Sequence, residues 1–158
     1  PASKFMIEAK KHENSMKAFY GCDGLNNINT IKGFDINTIP QEISYLSHFD
    51  ANSSEEATKT FVENYKAKFN GETPSQFAAA AYDCVYALYE ALNAAGKSKV
   101  SASMSAEEFC RVLKEQFDGS FTYSGVTGSN MKWTRGTSGA GYVEKTATKF
   151  VVKEADNA

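Results

Sequence analysis

The hydrophobic pattern of the first fifty residues alternates between helical and extended spacing. Ser3 can cap a first helix that ends near Asn14, and the spacing over 25–32 predicts a second, short helix. Segments with apolar and aromatic residues at 16–20 and 42–49 predict two strands. The predicted order is therefore helix, strand, helix, strand, which is typical of an α/β fold.

The middle of the chain predicts three long helices. Capping boxes begin at Ser53 and Ser105, and each precedes apolar residues at helical spacing. Between them, 75–96 is rich in alanine and apolar on nearly every side, which predicts a central helix packed between other elements. After residue 120, aromatic and β-branched residues predict short strands. We therefore expect a largely parallel sheet, with the helical middle in a different layer or lobe.

Composition and charge exclude several classes of protein. The 158 residues are 42% hydrophobic and carry a net charge of -2, which are ordinary values for a globular unit. With 17 basic against 19 acidic residues and no long run of like charges, nucleic acid and anionic membranes are not expected partners. The longest apolar stretch is too short and too charged to span a membrane, and no signal peptide opens the chain. We expect a cut or processed product.

The cysteines carry little information about chemistry. Their positions, Cys22, Cys84 and Cys110, are odd in number and widely spaced, so they match neither a metal clip nor a full disulfide framework. We expect all three to be reduced and at least partly buried, because a free cysteine packs as a small hydrophobic side chain.

No arrangement of reactive side chains indicates an enzyme. Ser47, His48 and Asp50 stand close together in the sequence. Consecutive side chains of a strand point to opposite faces, however, so Ser47 and His48 cannot act together as nucleophile and base. The histidine and cysteine spacings match no metal site, and the glycine-containing stretches match no nucleotide-phosphate loop. We expect no catalysis, no cofactor and no metal.

One carboxylate stands between two glycines, in the segment GCDG that follows the first predicted strand. Asp23 could simply be a turn residue whose side chain bonds the backbone two residues on. Alternatively, it could recognise a ligand, because ligands of open α/β sheets bind just past the carboxyl ends of the strands. Small flanking residues would let such a ligand approach closely, and the carboxylate would attract an ammonium group.

Three segments in a fixed order suggest a family. They are FYGCDGL, then FVENYKAKFNGETPSQFAAAAYDCVYALYEAL, then SAEEFCRVLKEQFDGSFTYSGVTGSNMKW. In this order the chain resembles, over nearly all of its 158 residues, the carboxy-terminal half of the extracytoplasmic solute-binding proteins of ABC transporters, of the branched-chain amino-acid type.

The resemblance implies a fold and a division of the chain. Members of this family have a type I periplasmic-binding-protein fold, with two three-layer α/β/α lobes that close on a small ligand by a hinge motion. Residues 1–50 would belong to the second lobe and residues 51–138 would cross to the first. Residues 139–158 would return to the second lobe, so the chain would be a partial two-lobe fragment.

The resemblance also implies ligand-binding residues. Asp23 corresponds to the acidic residue that holds the α-ammonium group of the ligand in members that bind amino acids. Phe77, at the start of the alanine-rich helix, would contribute an apolar wall of the cleft, although core packing at a helix start is an equal alternative. Cys22 stands where relatives have glycine or another small residue, and with Gly21 it would shape the pocket.

The function implied is capture of a small amino acid, branched-chain or otherwise aliphatic, and its delivery to the membrane permease of an ABC importer. The protein would be extracytoplasmic, in the periplasm or lipid-anchored at the outer face of the cell membrane. The alternative is a receptor domain of the same fold that passes ligand-induced closure to a signalling partner. The resemblance implies that the half that binds the ligand carboxylate, and any anchoring cysteine, lie outside this chain. We therefore expect this chain to bind such ligands weakly or not at all, and its uncovered surface could cause self-association.

Overall fold

Two structural units make up the chain. The structure, a computed structural model, describes residues 1–12, 15–26, 28–96, 98–139 and 141–153. The first unit is Pro1–Ser47 together with the segment that begins at Ala147, and the second is His48–Thr146. The assignment of chain segments to the two lobes of a longer protein stays a prediction.

The first unit is a helix against a small mixed sheet. Its elements are α1 (Ala2–Ala9), β1 (Ala18–Gly21), β2 (Glu42–Ser47) and the last strand, β6 (Thr148–Lys153). The strand order is β1-β2-β6, with β1 parallel and β6 antiparallel to β2. Apolar side chains from α1, β1, β2 and the connecting segment form its core: Met6, Ala9, Phe19, Leu25, Ile28, Phe34, Ile39 and Ile43.

The second unit contains three helices and an antiparallel sheet. Its elements are α2 (Glu56–Lys68), α3 (Gln76–Ala95), α4 (Ala106–Phe117), β3 (Thr122–Gly125), β4 (Gly128–Arg135) and β5 (Gly141–Val143). The strand order is β3-β4-β5. Phe49, Phe61, Val62, Ala79 and Val126 form one core cluster. A separate aromatic cluster joins Trp133 of β4 to Phe117 and Phe121.

The α/β class predicted from the sequence is confirmed, but the expected largely parallel sheet is not found in the described residues. Among the strands of the described residues, only β1 and β2 pair in parallel, and the other three pairings are antiparallel. The reason is the length of the connections. Two residues, Val126 and Thr127, separate β3 from β4, and such a connection permits only an antiparallel pair.

The predicted helix over 25–32 is wrong. The described residues there form 3-10 turns at Asp23–Leu25 and Ile28–Thr30. Asparagine is frequent in this segment, and its side chain competes for backbone hydrogen bonds outside helices.

The predicted helix starts had mixed outcomes. The capping box at Ser105 is confirmed, with both of its reciprocal bonds to Glu108. The box at Ser53 is wrong, because Ser53 accepts a bond from Glu55 and α2 starts after that residue. The first helix also begins earlier than expected, with Pro1 and not Ser3 at its N-cap.

The expectation that α3 is packed between other elements on nearly every side is wrong within the described residues. Its buried side chains form one narrow stripe, consisting of Gln76, Ala79, Asp83, Ala87 and Ala91. Much of the remaining surface is apolar and exposed, including Phe77, Val85, Leu88 and Tyr89. The expected burial of the cysteines is wrong for a related reason: all three are free and exposed, and Cys84 lies on this open part of α3.

Candidate functional site

The glycine-flanked loop lies directly after β1 in the first unit. Cys22 is extended, and a 3-10 turn begins at Asp23. The backbone N–H of Leu25 donates to the Cys22 carbonyl, and that of Asn26 donates to the Asp23 carbonyl, both at 3.0 Å. A Cβ atom built on Gly21 would lie 2.4 Å from Cδ1 of Leu25, so glycine allows the loop to fold this closely over β1.

The Asp23 carboxylate is exposed and has no hydrogen-bond or ion-pair partner among the residues that the structure describes. A simple turn role would require its oxygen to accept the N–H two residues on. That N–H, from Leu25, instead donates to the Cys22 carbonyl. The loop therefore keeps its shape through backbone bonds, which leaves the carboxylate available to a ligand.

An open cavity of about 340 Å³ adjoins this loop. Gly21, Cys22 and Gly24 line one side, and Phe5 of α1 and Phe19 of β1 are among the side chains on the others. The cavity lies at the carboxyl end of a strand, where open α/β sheets bind their ligands. Its lining is mainly apolar; Cys22 and Gly24 belong to it, whereas Asp23 between them is not among the lining residues.

An ion pair beside β1, between Lys149 and Glu42, could not be predicted from the sequence. Lys149 of β6 bonds Glu42 of β2 at 2.7 Å, and its ammonium lies 5.1 Å from the centre of the Tyr20 ring. The bond from Lys149 lowers the pKa of Glu42 and raises that of the lysine. More than one hundred residues separate the two partners, so no local pattern could have paired them.

Phe77 belongs to the second unit, in the first turn of α3. Its side chain is 61% exposed, so it does not pack into the core of that unit. Core packing within the described residues, the alternative role considered for Phe77, is therefore excluded. Gly21 is the last residue of β1, and Cys22 and Asp23 follow it in the loop. The predicted contribution of Phe77 to the same site stays a prediction.

A second aspartate, Asp83, was not recognised as important in the sequence. It lies on α3, is only 3% exposed, and accepts the backbone N–H groups of Val126 and Thr127 at 2.9 and 2.8 Å. The Thr127 hydroxyl donates to the same carboxylate. Asp83 therefore holds the turn between β3 and β4 in place.

The described residues contain neither a metal-binding cluster nor a membrane-spanning helix. No group of three or more histidine, cysteine or acidic side chains is arranged to hold a metal ion. None of the helices there combines the length and the apolar character that a membrane span requires.

Comparison with known proteins identifies the fold. No protein family and no curated protein sequence matches the chain. Among solved structures, the chain is similar to a crystal structure described as a branched-chain amino acid ABC transporter from Rhodospirillum rubrum, with a TM-score of 0.64 and 22% identity. That match covers 98% of this chain and 40% of the other. The chain has part of a type I periplasmic-binding-protein fold.

A second solved structure leads to the same fold. It is the branched-chain amino acid transporter substrate binding protein LivJ from Streptococcus pneumoniae, in complex with isoleucine, with a TM-score of 0.56 and 22% identity. The match covers 96% of this chain and 41% of LivJ. The fold predicted from the resemblance is thus confirmed. Since the chain spans about two fifths of these proteins at low identity, the likeness establishes the fold and not the ligand.

Proposed function

We propose that the chain is part of the extracytoplasmic substrate-binding component of an ABC importer and that it binds a small aliphatic amino acid. In this proposal Asp23 pairs with the α-ammonium group, while Gly21 and Cys22 shape the adjoining pocket. Phe77 provides an apolar wall, and the loaded protein delivers its ligand to a membrane permease. The protein acts by binding and has no catalytic step.

The observation that carries the proposal is the exposed carboxylate of Asp23, which has no partner among the described residues and stands between two residues, Cys22 and Gly24, that line an apolar cavity. A carboxylate attracts an ammonium group, and the apolar lining favours an aliphatic side chain. The fold supports the same interpretation, because one of the similar structures holds isoleucine. Closure of a second lobe over Asp23 would remove water and strengthen the ion pair.

Isothermal titration of the complete gene product with leucine, isoleucine and valine tests this proposal. We expect Asp23→Asn to weaken binding at least tenfold, which corresponds to about 1.4 kcal/mol, because the ligand ammonium loses its charged partner. Circular dichroism should show that the variant remains folded, since the side chain makes no hydrogen bond within the described part of the chain.

Asp35→Asn serves as the matched control. Asp35 is an exposed aspartate of the same unit, and its side chain accepts the N–H of Asn37. This variant carries the same change of charge and should bind the amino acids as the unmodified protein does. Undiminished affinity in Asp23→Asn, or an equal loss in both variants, would remove Asp23 from the site.

A further inference from the structure

The second unit contains a cavity bordered by three tyrosines. Tyr82 and Tyr86 of α3 and Tyr123 of β3 line an open space of about 250 Å³. Glu56, in the first turn of α2, lines it as well. No lysine, arginine or histidine is among the described residues that line this cavity. The cavity therefore combines aromatic surfaces with a single carboxylate.

Two of the tyrosine rings pack on each other and are partly exposed. The ring centres of Tyr82 and Tyr86 are 4.5 Å apart, with an angle of 38° between the ring planes. Tyr82 also packs on Phe61, with ring centres 4.7 Å apart, so Tyr86, which is 42% exposed, presents the more open ring surface. Aromatic rings carry a partial negative charge on their faces, which attracts a cation positioned over them.

The surroundings of the rings add negative charge. Burial, together with the charge of Asp83, raises the pKa of Tyr123 to about 12, so its hydroxyl stays protonated at neutral pH. Asp83 lies close to Gly125, where an added Cβ would be 2.2 Å from Oδ1. The nearby ammonium of Lys145 is already bonded to the Thr127 hydroxyl at 2.6 Å and partly offsets Asp83.

We propose that this cavity binds a small quaternary ammonium cation, with Tyr86 and Tyr123 against the methylated nitrogen, Tyr82 packed behind Tyr86, and Glu56 at the rim. Such a cation needs no hydrogen-bond acceptor and interacts favourably with aromatic faces. The cavity is smaller than the roughly 300 Å³ at which pockets for drug-sized ligands begin, which suits a ligand of this size. This site is independent of the amino-acid site proposed for the first unit.

Choline and its uncharged isostere, in which carbon replaces the nitrogen, provide the direct test. We expect the 158-residue protein to bind choline roughly fivefold more tightly than the isostere, since only the charged ligand gains the cation–ring attraction. Nuclear magnetic resonance should also show contacts between the choline methyl protons and the ring protons of Tyr86 in the unmodified protein.

Variants then identify the residues involved. Tyr86→Leu should weaken choline binding about two- to fivefold, whereas Tyr86→Phe should retain it because the aromatic face remains. Glu56→Gln should weaken it about twofold. Glu107→Gln is the control, since Glu107 is likewise exposed in the first turn of a helix but does not line the cavity.

Three results would overturn the proposal. They are equal affinity for choline and the isostere, no binding of choline at millimolar concentration, and unchanged affinity in a folded Tyr86→Leu protein. If Tyr86→Leu fails to fold, the absence of methyl–ring contacts in the unmodified protein is decisive. None of these measurements depends on Asp23, so a failure here leaves the proposed amino-acid site untouched.

Discussion

The chain contains two glycine-flanked turns that look alike in sequence and are stabilised differently. The first, GCDG at residues 21–24, carries its own aspartate, which is exposed and without a partner among the described residues. The second, GVTG at residues 125–128, has no charged residue and is bonded by Asp83 from a distant helix. Asp23 is thus available to bind a ligand, whereas Asp83 stabilises the fold.

The difference shows how burial and bonding separate a recognition residue from a structural one. Asp83 accepts hydrogen bonds that buried backbone N–H groups would otherwise lack, so the fold depends on it. Asp23 satisfies no such requirement, and the fold has no evident use for its charge. A carboxylate that the fold does not need is the better candidate for binding.

The largest difference between the two turns should appear in the free energy of unfolding when each aspartate is replaced by alanine. Asp83→Ala leaves the N–H groups of Val126 and Thr127 buried without an acceptor, so we expect the free energy of unfolding to fall by about 3 kcal/mol or more. Asp23→Ala should change it by no more than about 0.5 kcal/mol. Denaturant unfolding followed by circular dichroism measures both, and equal losses would contradict the comparison.

The glycines of the two turns provide a second, smaller contrast. Gly125→Ala would place Cβ 2.2 Å from Oδ1 of Asp83, which is fixed by its hydrogen bonds, so we expect a loss of about 1–3 kcal/mol. Gly24→Ala meets no atom within 4 Å and should cost no more than about 0.5 kcal/mol. The same unfolding experiment applies, and a larger loss in Gly24→Ala would show that the first turn is also tightly packed.

The smallest expected effect is a change in how stability depends on pH in the acid range. Hydrogen bonds from Arg135 and then Lys114 lower the pKa of Asp118, an exposed residue that follows α4. A lowered pKa contributes stability above the ordinary aspartate range, and this contribution is lost as the pH falls through that range towards the lowered value. Asp118→Asn should therefore be slightly less stable than the unmodified protein at neutral pH.

The two proteins should converge in stability as the medium becomes strongly acidic. Thermal unfolding at a series of pH values measures this difference, which should also shrink in high salt because the groups are exposed. A difference that stays constant across pH would rule out this ion-pair network as its source.

Local signals in the sequence predicted the long helices well. The capping box at Ser105 and the glycine that ends α3 act within a few residues, so they can be recognised without knowledge of the fold. The parallel pairing of most strands was predicted wrongly, because strand direction depends on the connections and on distant partners. The exposed apolar surface of α3 was missed for the same reason: composition alone cannot show what packs against it.

The candidate sites divide in the same way. The loop around Asp23 could be found from its glycines and its position after a strand, both of which are local features. The role of Asp83 depends on residues more than forty positions away, and the tyrosine-lined cavity combines three separate elements. Only the folded chain brings these groups together.

The aromatic cluster of the second unit has a practical consequence for spectroscopy. The chain has a single tryptophan, Trp133, which packs on Phe117 and Phe121. Its fluorescence emission therefore reports on the second unit, whereas the unit that carries Asp23 has no indole of its own. Emission and far-ultraviolet ellipticity recorded in one melting experiment would reveal whether the two units lose their structure together or one after the other.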